Sequence, residues 1–189
     1  MKKPLVASVA LAALCLCVGW SPAGAQVTFT TPSNDAARAP RPSRDRGPAL
    51  EPSLVAAKTA VEACANRGYQ VTAVVVDSAG LPVVLLSGNG AAAITQSIAM
   101  GKAVSSVRNG KPSAELAIEA QKNPELAARL QADSQQGPQR GGGIPIMSGS
   151  TAIGAIAVSG SPDGGWDAEC AQAGLDKAMS APAAPRGRR

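Results

Sequence analysis

Residues 141–175 read GGGIPIMSGSTAIGAIAVSGSPDGGWDAECAQAGL, and this stretch decides the fold. A glycine run leads into a short apolar strand, Ile144 to Met147, and a polar turn follows. A second strand, Ala152 to Val158, contains only Ala, Ile, Val and Gly, and a helix is expected from Trp166 to Met179. Two short apolar runs around a Ser-Gly-Ser turn predict an antiparallel hairpin that is followed by a helix.

A second hairpin is predicted earlier in the chain. Apolar residues three and four positions apart first indicate one face of a helix that Gly68 ends: Leu54, Ala57, Val61 and Cys64. The runs Val71 to Val76 and Leu81 to Leu86 then predict two strands around turn residues 77–80. Because both strands are apolar on both faces, we expect the sheet to be covered on two sides.

Three helices are predicted between the two hairpins, at residues 91–107, from Ser113 onward, and at residues 125–131. The predicted order is therefore α-β-β-α-α-α-β-β-α, with one more strand expected near Pro138 to Gly141. This order indicates an α+β fold, in which an antiparallel sheet carries helices on both faces.

The first 25 residues have the pattern of a secretory signal peptide. Lys2 and Lys3 precede an apolar stretch from Leu5 to Val18, and Ala-Gly-Ala at 23–25 is a small-residue cleavage site. We expect cleavage before Gln26, no lipid anchor, and a periplasmic or secreted mature protein. The apolar stretch is too short for a transmembrane helix, and an uncleaved membrane anchor is the alternative.

Two further segments are expected to be disordered and basic. Residues 26–49 form a Pro- and Arg-rich linker and residues 181–189 a short tail, which leaves residues 50–180 as one domain. The whole chain has a net charge of +5, but residues 50–179 contain nine Lys and Arg against eleven Asp and Glu. A net charge of −2 and only two aromatic residues in the domain argue against nucleic-acid binding.

Removal of the signal peptide leaves two cysteines, Cys64 and Cys170. In an oxidising compartment two thiols usually pair, so we expect a disulfide bond between the first and last helices of the domain. The Cα atoms should then lie within about 7 Å of each other.

Six segments in this order resemble the GlcG/HbpS family of haem-binding-like proteins, which includes the C-terminal domain of PduO. The segments are VTAVVVDSAGLPVVLL, LLSGNGAA, the Ser97-x4-Lys102-Ala103 pattern, GGGIPI, GAIAVSG and DAECAQAGL. The resemblance implies a profilin-like fold with a five-stranded antiparallel sheet between helices. It also implies association with haem or corrinoid compounds, and homo-oligomers.

The chain departs from this family pattern after the second strand. Exported relatives typically carry an Arg, an Asp and a His there, where this chain has Ser87, Asn89 and Ile94. The whole chain has no histidine, which is the commonest neutral axial ligand of haem iron. Haem binding is therefore expected to be weak and not ligated by histidine. Met100, Met147, Tyr69 or a free thiol are the alternative iron ligands, and each also has an ordinary structural interpretation.

Five residues are candidates for ligand binding: Lys102, Arg108, Asp77, Gly142 and Gly143. Lys102 or Arg108 would contact a carboxylate or propionate, and the alternative for Lys102 is a side chain that reaches solvent along its helix. Asp77 follows a strand, where it would bind a ligand or shape a turn. The glycines would admit a flat ligand or pack closely against other backbone. A phosphate loop is disfavoured because a strand follows them.

The sequence favours an exported binding module for a flat or small anionic ligand of the haem or tetrapyrrole type. Two alternatives stay open: a structural homo-oligomer without a ligand, and an enzyme that oxidises, reduces or degrades a tetrapyrrole. Catalysis is the less favoured interpretation because no acid–base pair, zinc cluster or nucleophile–histidine pair is visible in the sequence.

Overall fold

The structure, a computed structural model, describes residues 47–137 and 139–180, and these residues form five helices and four strands. The elements in chain order are α1 (Leu50–Ala65), β1 (Thr72–Asp77), β2 (Pro82–Ser87), α2 (Ile94–Asn109), α3 (Ser113–Lys122), α4 (Pro124–Ala132), β3 (Gly143–Ser148), β4 (Thr151–Ser159) and α5 (Gly164–Ser180). Each predicted helix and both predicted hairpins are present.

The strands form one antiparallel sheet in the order β2-β1-β4-β3. The β1–β4 pair is central, and it aligns Thr72 with Ser159 and Asp77 with Gly154. This long-range pair brings the two hairpins together, so the sheet joins the N-terminal and C-terminal halves of the domain.

Side chains of the two central strands alternate between two apolar layers. Ala73 and Val75 face α1 and α5, whereas Val74 and Val76 face α2. On β4, Ile156 and Val158 join the first layer, and Ala155 and Ala157 the second. The continuous apolar run of each strand is explained by this two-sided burial, and the predicted α+β fold with helices on both faces is confirmed.

Two details of the predicted sheet differ from the structure. The described part of the chain contains four strands, because Gln139 and Arg140 are irregular and Gly141 lies in a turn; Pro138 lies outside the described residues. A Cβ atom on Gly141 would lie 2.6 Å from the Gly164 carbonyl oxygen, so this segment packs against the start of α5. In addition, β2 is an edge strand whose Leu85 and Leu86 are exposed, so the predicted two-sided cover applies to β1 and not to β2.

Small residues bring α1 and α5 close together. The buried face of α1 consists of Ser53, Ala56, Ala57, Ala60 and Cys64. A Cβ atom on Gly174 of α5 would lie only 2.3 Å from the Ala56 carbonyl oxygen, so the two backbones are in direct contact. Leu54, which the sequence placed on the same apolar face as Ala57 and Cys64, is 43% exposed and does not belong to the buried face. A leucine on the contact face would separate the helices.

The expected disulfide bond is present between these helices. The sulfur atoms of Cys64 and Cys170 are 2.09 Å apart, and their Cα atoms are separated by 5.6 Å. Both residues are buried in the layer between the sheet and the α1–α5 pair. The bond closes a loop of 106 residues that contains most of the domain. No helix among the described residues has both the length and the apolar character that crossing a bilayer requires.

Replacing both cysteines by serine should lower the free energy of unfolding by about 2–4 kcal/mol, because the unfolded chain regains the entropy that the long loop removes. Denaturant unfolding followed by circular dichroism measures this change, and the far-UV spectrum of the folded variant should match that of the wild type. Reduction of the wild type serves as the control and should give a comparable loss. Two titratable thiols in the native, unreduced protein would contradict the bond.

Candidate functional site

Lys102 and Asp167 form a buried ion pair between α2 and α5. The Lys102 Nζ and Asp167 Oδ2 atoms are 2.8 Å apart, and the two residues are only 2% and 3% exposed. Lys102 Nζ also donates to the Val158 carbonyl oxygen at 3.1 Å. The second carboxylate oxygen, Oδ1, accepts from the Ser161 amide at 3.0 Å. Each charge is therefore compensated by groups of the protein itself, as burial of an ion pair requires.

The glycine run enters β3 beside this ion pair. Gly142 has a φ of +125°, and a Cβ atom there would lie 2.5 Å from the Val158 carbonyl oxygen and 2.9 Å from Lys102 Nζ. A Cβ atom on Gly143 would lie 2.6 Å from the Lys102 carbonyl oxygen. Only glycine permits such approaches. The close-packing interpretation of the glycines is confirmed, because both residues are buried and lead directly into a strand.

Three of the five predicted site residues thus meet at one place: Lys102, Gly142 and Gly143. The place is a buried junction between α2, β3, β4 and α5, and the Lys102 ammonium group does not reach the surface. An anionic ligand would contact it only by displacing Asp167, at the cost of a buried carboxylate without a partner. The alternative interpretation, in which the Lys102 side chain reaches solvent, does not match the structure, since the residue is buried and its partner lies inside the protein.

Asp77 lies at the other end of the β1–β4 pair, opposite Gly154. Its Oδ1 atom accepts from the amides of Ala79 at 3.0 Å and Leu81 at 2.9 Å, and the residue is buried. These hydrogen bonds shape the β1–β2 turn. The structure therefore agrees with the interpretation of Asp77 as a turn-forming residue.

Arg108 lies in the last turn of α2, where it forms an ion pair with Asp133 and a hydrogen bond with Gln135. The pKa of Asp133 is lowered, mainly by a hydrogen bond from the Gln136 side chain, then by the Gln135 amide and the Arg108 guanidinium. A lowered pKa stabilises the fold at pH values above the usual carboxyl range, and this contribution disappears as the pH falls through the lowered pKa. Arg108 therefore anchors the loop after α4.

The turn before α5 is a simple cap. Asp163 Oδ1 accepts from the Gly165 amide at 2.8 Å, and the Ser161 hydroxyl donates to the Asp163 carbonyl oxygen at 2.5 Å. With a carboxylate already bonded to the first turn of the helix, this glycine-rich segment resembles a turn and cap more than an anion site.

A cavity that the sequence did not predict lies between α1 and the end of β2. Its volume is about 390 Å³. Helix α1 contributes Lys58, Val61 and Glu62 to the lining, and Tyr69 contributes from the segment before β1. The other wall is formed by the end of β2 and the residues after it: Leu86, Ser87, Gly88 and Asn89. Ser87 and Asn89 are the positions where exported relatives typically carry an Arg and an Asp, and they mark this segment in the sequence. Its position against α1 depends on the β1–β2 pairing, which the sequence does not specify.

The candidate iron ligands lie in different parts of the molecule. Met147 is exposed on the edge strand β3, Met100 packs against the α2-facing layer, and Cys64 and Cys170 are bonded to each other. Tyr69 lines the α1–β2 cavity, and its ring lies 6.3 Å from that of Trp166. Within residues 47–137 and 139–180, no group of three or more His, Cys, Asp and Glu side chains could hold a metal ion.

Replacing Lys102 by alanine should destabilise the protein by about 3–5 kcal/mol, because Asp167 would remain buried without its cation. The matched control is Lys111→Ala, which breaks the half-exposed Lys111–Glu119 pair and should cost at most about 1 kcal/mol. Thermal and denaturant unfolding measure both changes. Equal stability of the two variants would contradict the structural role of the Lys102–Asp167 pair.

Comparisons with known proteins agree with this fold. A family model described as haem degrading protein HbpS-like matches residues 50–176. A crystal structure of a doubly substituted HbpS from Streptomyces reticuli is similar, with 31% sequence identity and a TM-score of 0.64 over 75% of this chain and 93% of that one. A search of curated protein sequences gave no significant match.

Two more distant structures share the fold. The protein ORFY of Klebsiella pneumoniae has 22% identity and a TM-score of 0.66 over 75% of this chain and 98% of that one. PduOC, crystallised as a complex with heme, has 20% identity and a TM-score of 0.63 over 69% and 94% of the two chains. Because the family model spans more than half of the sequence, and HbpS aligns at 31% identity over nearly the same region, this chain belongs to the HbpS-like family.

Proposed function

We propose that this protein binds a flat, haem- or tetrapyrrole-type ligand in the α1–β2 cavity, weakly and without histidine ligation. Family membership makes haem plausible, and a protein of the same fold was crystallised with heme. The observation that carries the proposal is the exposed Leu86 side chain, which lines a cavity together with Val61 and Tyr69. An apolar, partly enclosed surface of this kind suits the face of a macrocycle.

The residues of the cavity fit a macrocycle that carries an anionic group. Val61 and Leu86 would contact its apolar face, and the Lys58 ammonium group, now paired with Glu62, would bind a propionate. Tyr69 is also among the lining residues, and tyrosine is a known ligand of haem iron. Bound haem would supply redox-active iron, while these side chains would orient the ring and shield one of its faces.

The affinity should be modest. The chain has no imidazole, its described cysteines are bonded to each other, and the Lys58 contact is exposed to solvent. An exposed ion pair contributes only about 0.2–1 kcal/mol. Apolar contact must therefore supply most of the binding free energy, and we expect a dissociation constant of about 1 μM or weaker.

Replacing Leu86 by aspartate should weaken haemin binding at least about fivefold, because it removes apolar contact and places a carboxylate near the propionates. The matched control is Leu85→Asp. Leu85 and Leu86 are 41% and 37% exposed, but successive strand residues face opposite sides, and Leu85 does not line the cavity. Absorbance titration with haemin measures both affinities. Equal effects of the two substitutions would place the ligand elsewhere.

The same titration distinguishes the alternatives. Nanomolar binding with a sharp six-coordinate spectrum would contradict weak binding and would indicate ligation by Tyr69 or a methionine; Tyr69→Phe then separates these. Loss of the haemin spectrum with turnover would favour the degradative enzyme. If haemin does not bind, sedimentation of the Leu85→Asp variant tests a homo-oligomer that assembles through the edge strand β2, where Leu85 and Leu86 are exposed.

The proposal includes export to the periplasm or the medium, with a mature chain that begins at Gln26. The basic start, the apolar stretch and the Ala-Gly-Ala site support export, and a disulfide bond suits an oxidising compartment. These N-terminal residues lie outside the described part of the chain. Intact-mass measurement of the natively produced protein should give the mass of residues 26–189. A mass that includes Met1, or an acyl chain, would contradict export by cleavage.

A further inference from the structure

The first turn of α1 and the last turn of α5 lie at the same end of the domain. The two helices are antiparallel: Cys64 is bonded to Cys170, whereas Ala56 and Ala60, which precede Cys64, lie against Gly174, which follows Cys170. Extending this pairing by one more turn places the first residues of α1 beside the last residues of α5.

The two hairpin turns of the sheet lie at this end as well. Pro48 precedes α1, and a Cβ atom on Gly154 would lie 2.8 Å from the Pro48 Cδ atom. Gly154 pairs with Asp77 at the end of β1 and with Ile146 near the end of β3. We call this end of the domain, formed by residues 47–54, 77–82, 146–152 and 176–180, the turn end.

Large apolar side chains are exposed at the turn end. Leu50 and Leu54 lie four residues apart, on one side of α1. Met179 lies at the end of α5, and Leu81 and Met147 lie beside the two hairpin turns. These five side chains are between 43% and 76% exposed. Exposed apolar groups that are concentrated at one place indicate an interaction surface.

Two basic segments are joined to the turn end by the chain itself. Residues 26–46 precede it and residues 181–189 follow it, and together they contain seven arginines against two aspartates, a net charge of +5. Each arginine lies within nine residues of Gly47 or Ser180 in the sequence. Because nine residues span at most about 30 Å, every one of these arginines can reach a surface that the turn end contacts.

The turn end itself adds little charge. Among its described residues, the exposed ionisable side chains are Glu51, Asp176 and Lys177, with a net charge of −1. The seven arginines outweigh this charge, so a partner of the turn end should be anionic.

An anionic lipid surface fits both the arginines and the exposed apolar groups. Arginines attract anionic headgroups, and leucine and methionine side chains enter the boundary between headgroups and acyl chains. A nucleic acid would leave these aliphatic groups in water, and the aromatic residues of the domain, Tyr69 and Trp166, lie at the opposite end, before β1 and in the first turn of α5. A second copy of the chain would bring two strongly basic regions together, which repulsion disfavours.

We propose that the turn end binds the surface of an anionic lipid bilayer without crossing it. The arginines of both segments contact the headgroups, and Leu50, Leu54 and Met179 enter the interface. This inference rests on the proposed removal of residues 1–25, which intact mass tests separately, and not on the proposed haem site. The α1–β2 cavity lies at the opposite end of the domain, so it stays open in the bound protein.

The experiment measures the partitioning of the mature protein onto lipid vesicles by cosedimentation. Vesicles with equal amounts of phosphatidylglycerol and phosphatidylcholine should bind the protein at least about tenfold more tightly than pure phosphatidylcholine at low ionic strength. Salt at about 0.5 M should remove most of this preference, because it screens the arginine–headgroup attraction.

Two kinds of variant separate the contributions. Replacing Arg186, Arg188 and Arg189 together by glutamine should weaken binding to the anionic vesicles at least about tenfold. Replacing Leu50 and Leu54 together by glutamine should weaken it at least about fivefold, because apolar contact is lost. The matched control is the pair Ile94→Gln and Ile118→Gln, which is 64% and 54% exposed, lies on α2 and α3 away from the turn end, and should leave binding unchanged.

Several results would overturn the proposal. They are equal binding to both kinds of vesicle, no binding to either, and equal effects of the leucine pair and the isoleucine pair. Binding of double-stranded DNA as tight as that of the anionic vesicles would indicate a general polyanion contact instead. Dissociation of a homo-oligomer by the leucine substitutions, with vesicle binding unchanged, would assign these side chains to a subunit interface. Circular dichroism checks that each variant folds, and if the leucine pair does not, the arginine variant and the salt dependence decide.

Discussion

The Lys102–Asp167 ion pair connects the two helical layers of the domain. Lys102 belongs to α2 on one face of the sheet, and Asp167 to α5, which packs on the other face. Their charges meet beside Gly142, where any side chain would occupy the space of the ion pair. Two buried charges tolerate little displacement, because separation would leave each one desolvated and uncompensated. The glycine run, the end of β4 and the first turn of α5 are therefore fixed relative to one another.

A second constraint acts further along the same buried face of α5. The Cys64–Cys170 bond and the contact of Gly174 with the Ala56 carbonyl hold α5 against α1. Small side chains permit this close approach. Leucines of α1 and β2 are exposed at the surface. The protein thus has a tightly packed centre and apolar groups near its rim. The α1–β2 cavity and the exposed β2 edge are consequences of this distribution.

The two cavities differ in chemistry because different elements form them. The α1–β2 cavity combines leucine and valine with Lys58 and Tyr69, and on these residues rests the proposal of an anionic macrocycle as its ligand. A cavity of about 550 Å³ between α3 and α4 is lined instead by alanine, leucine and glutamine. Neither cavity includes the buried junction at Lys102, where the requirements of charge compensation and close packing are already met.

The sequence by itself determined the elements of this fold and the disulfide bond. β-Branched runs specify β1 and β4, turn residues such as Asp77 separate the strands, and the two cysteines outside the predicted signal peptide favour a bond. These features depend on local preference or on composition. The tertiary structure decided the number of strands, the exposure of Leu54 and Leu86, and the role of Lys102. The role of Lys102 depends on Asp167, 65 residues away in the sequence. The exposure of Leu86 follows from the position of β2 at the edge of the sheet. A pattern shows that a residue is apolar or charged, but only the packed chain determines whether another element covers it or compensates its charge.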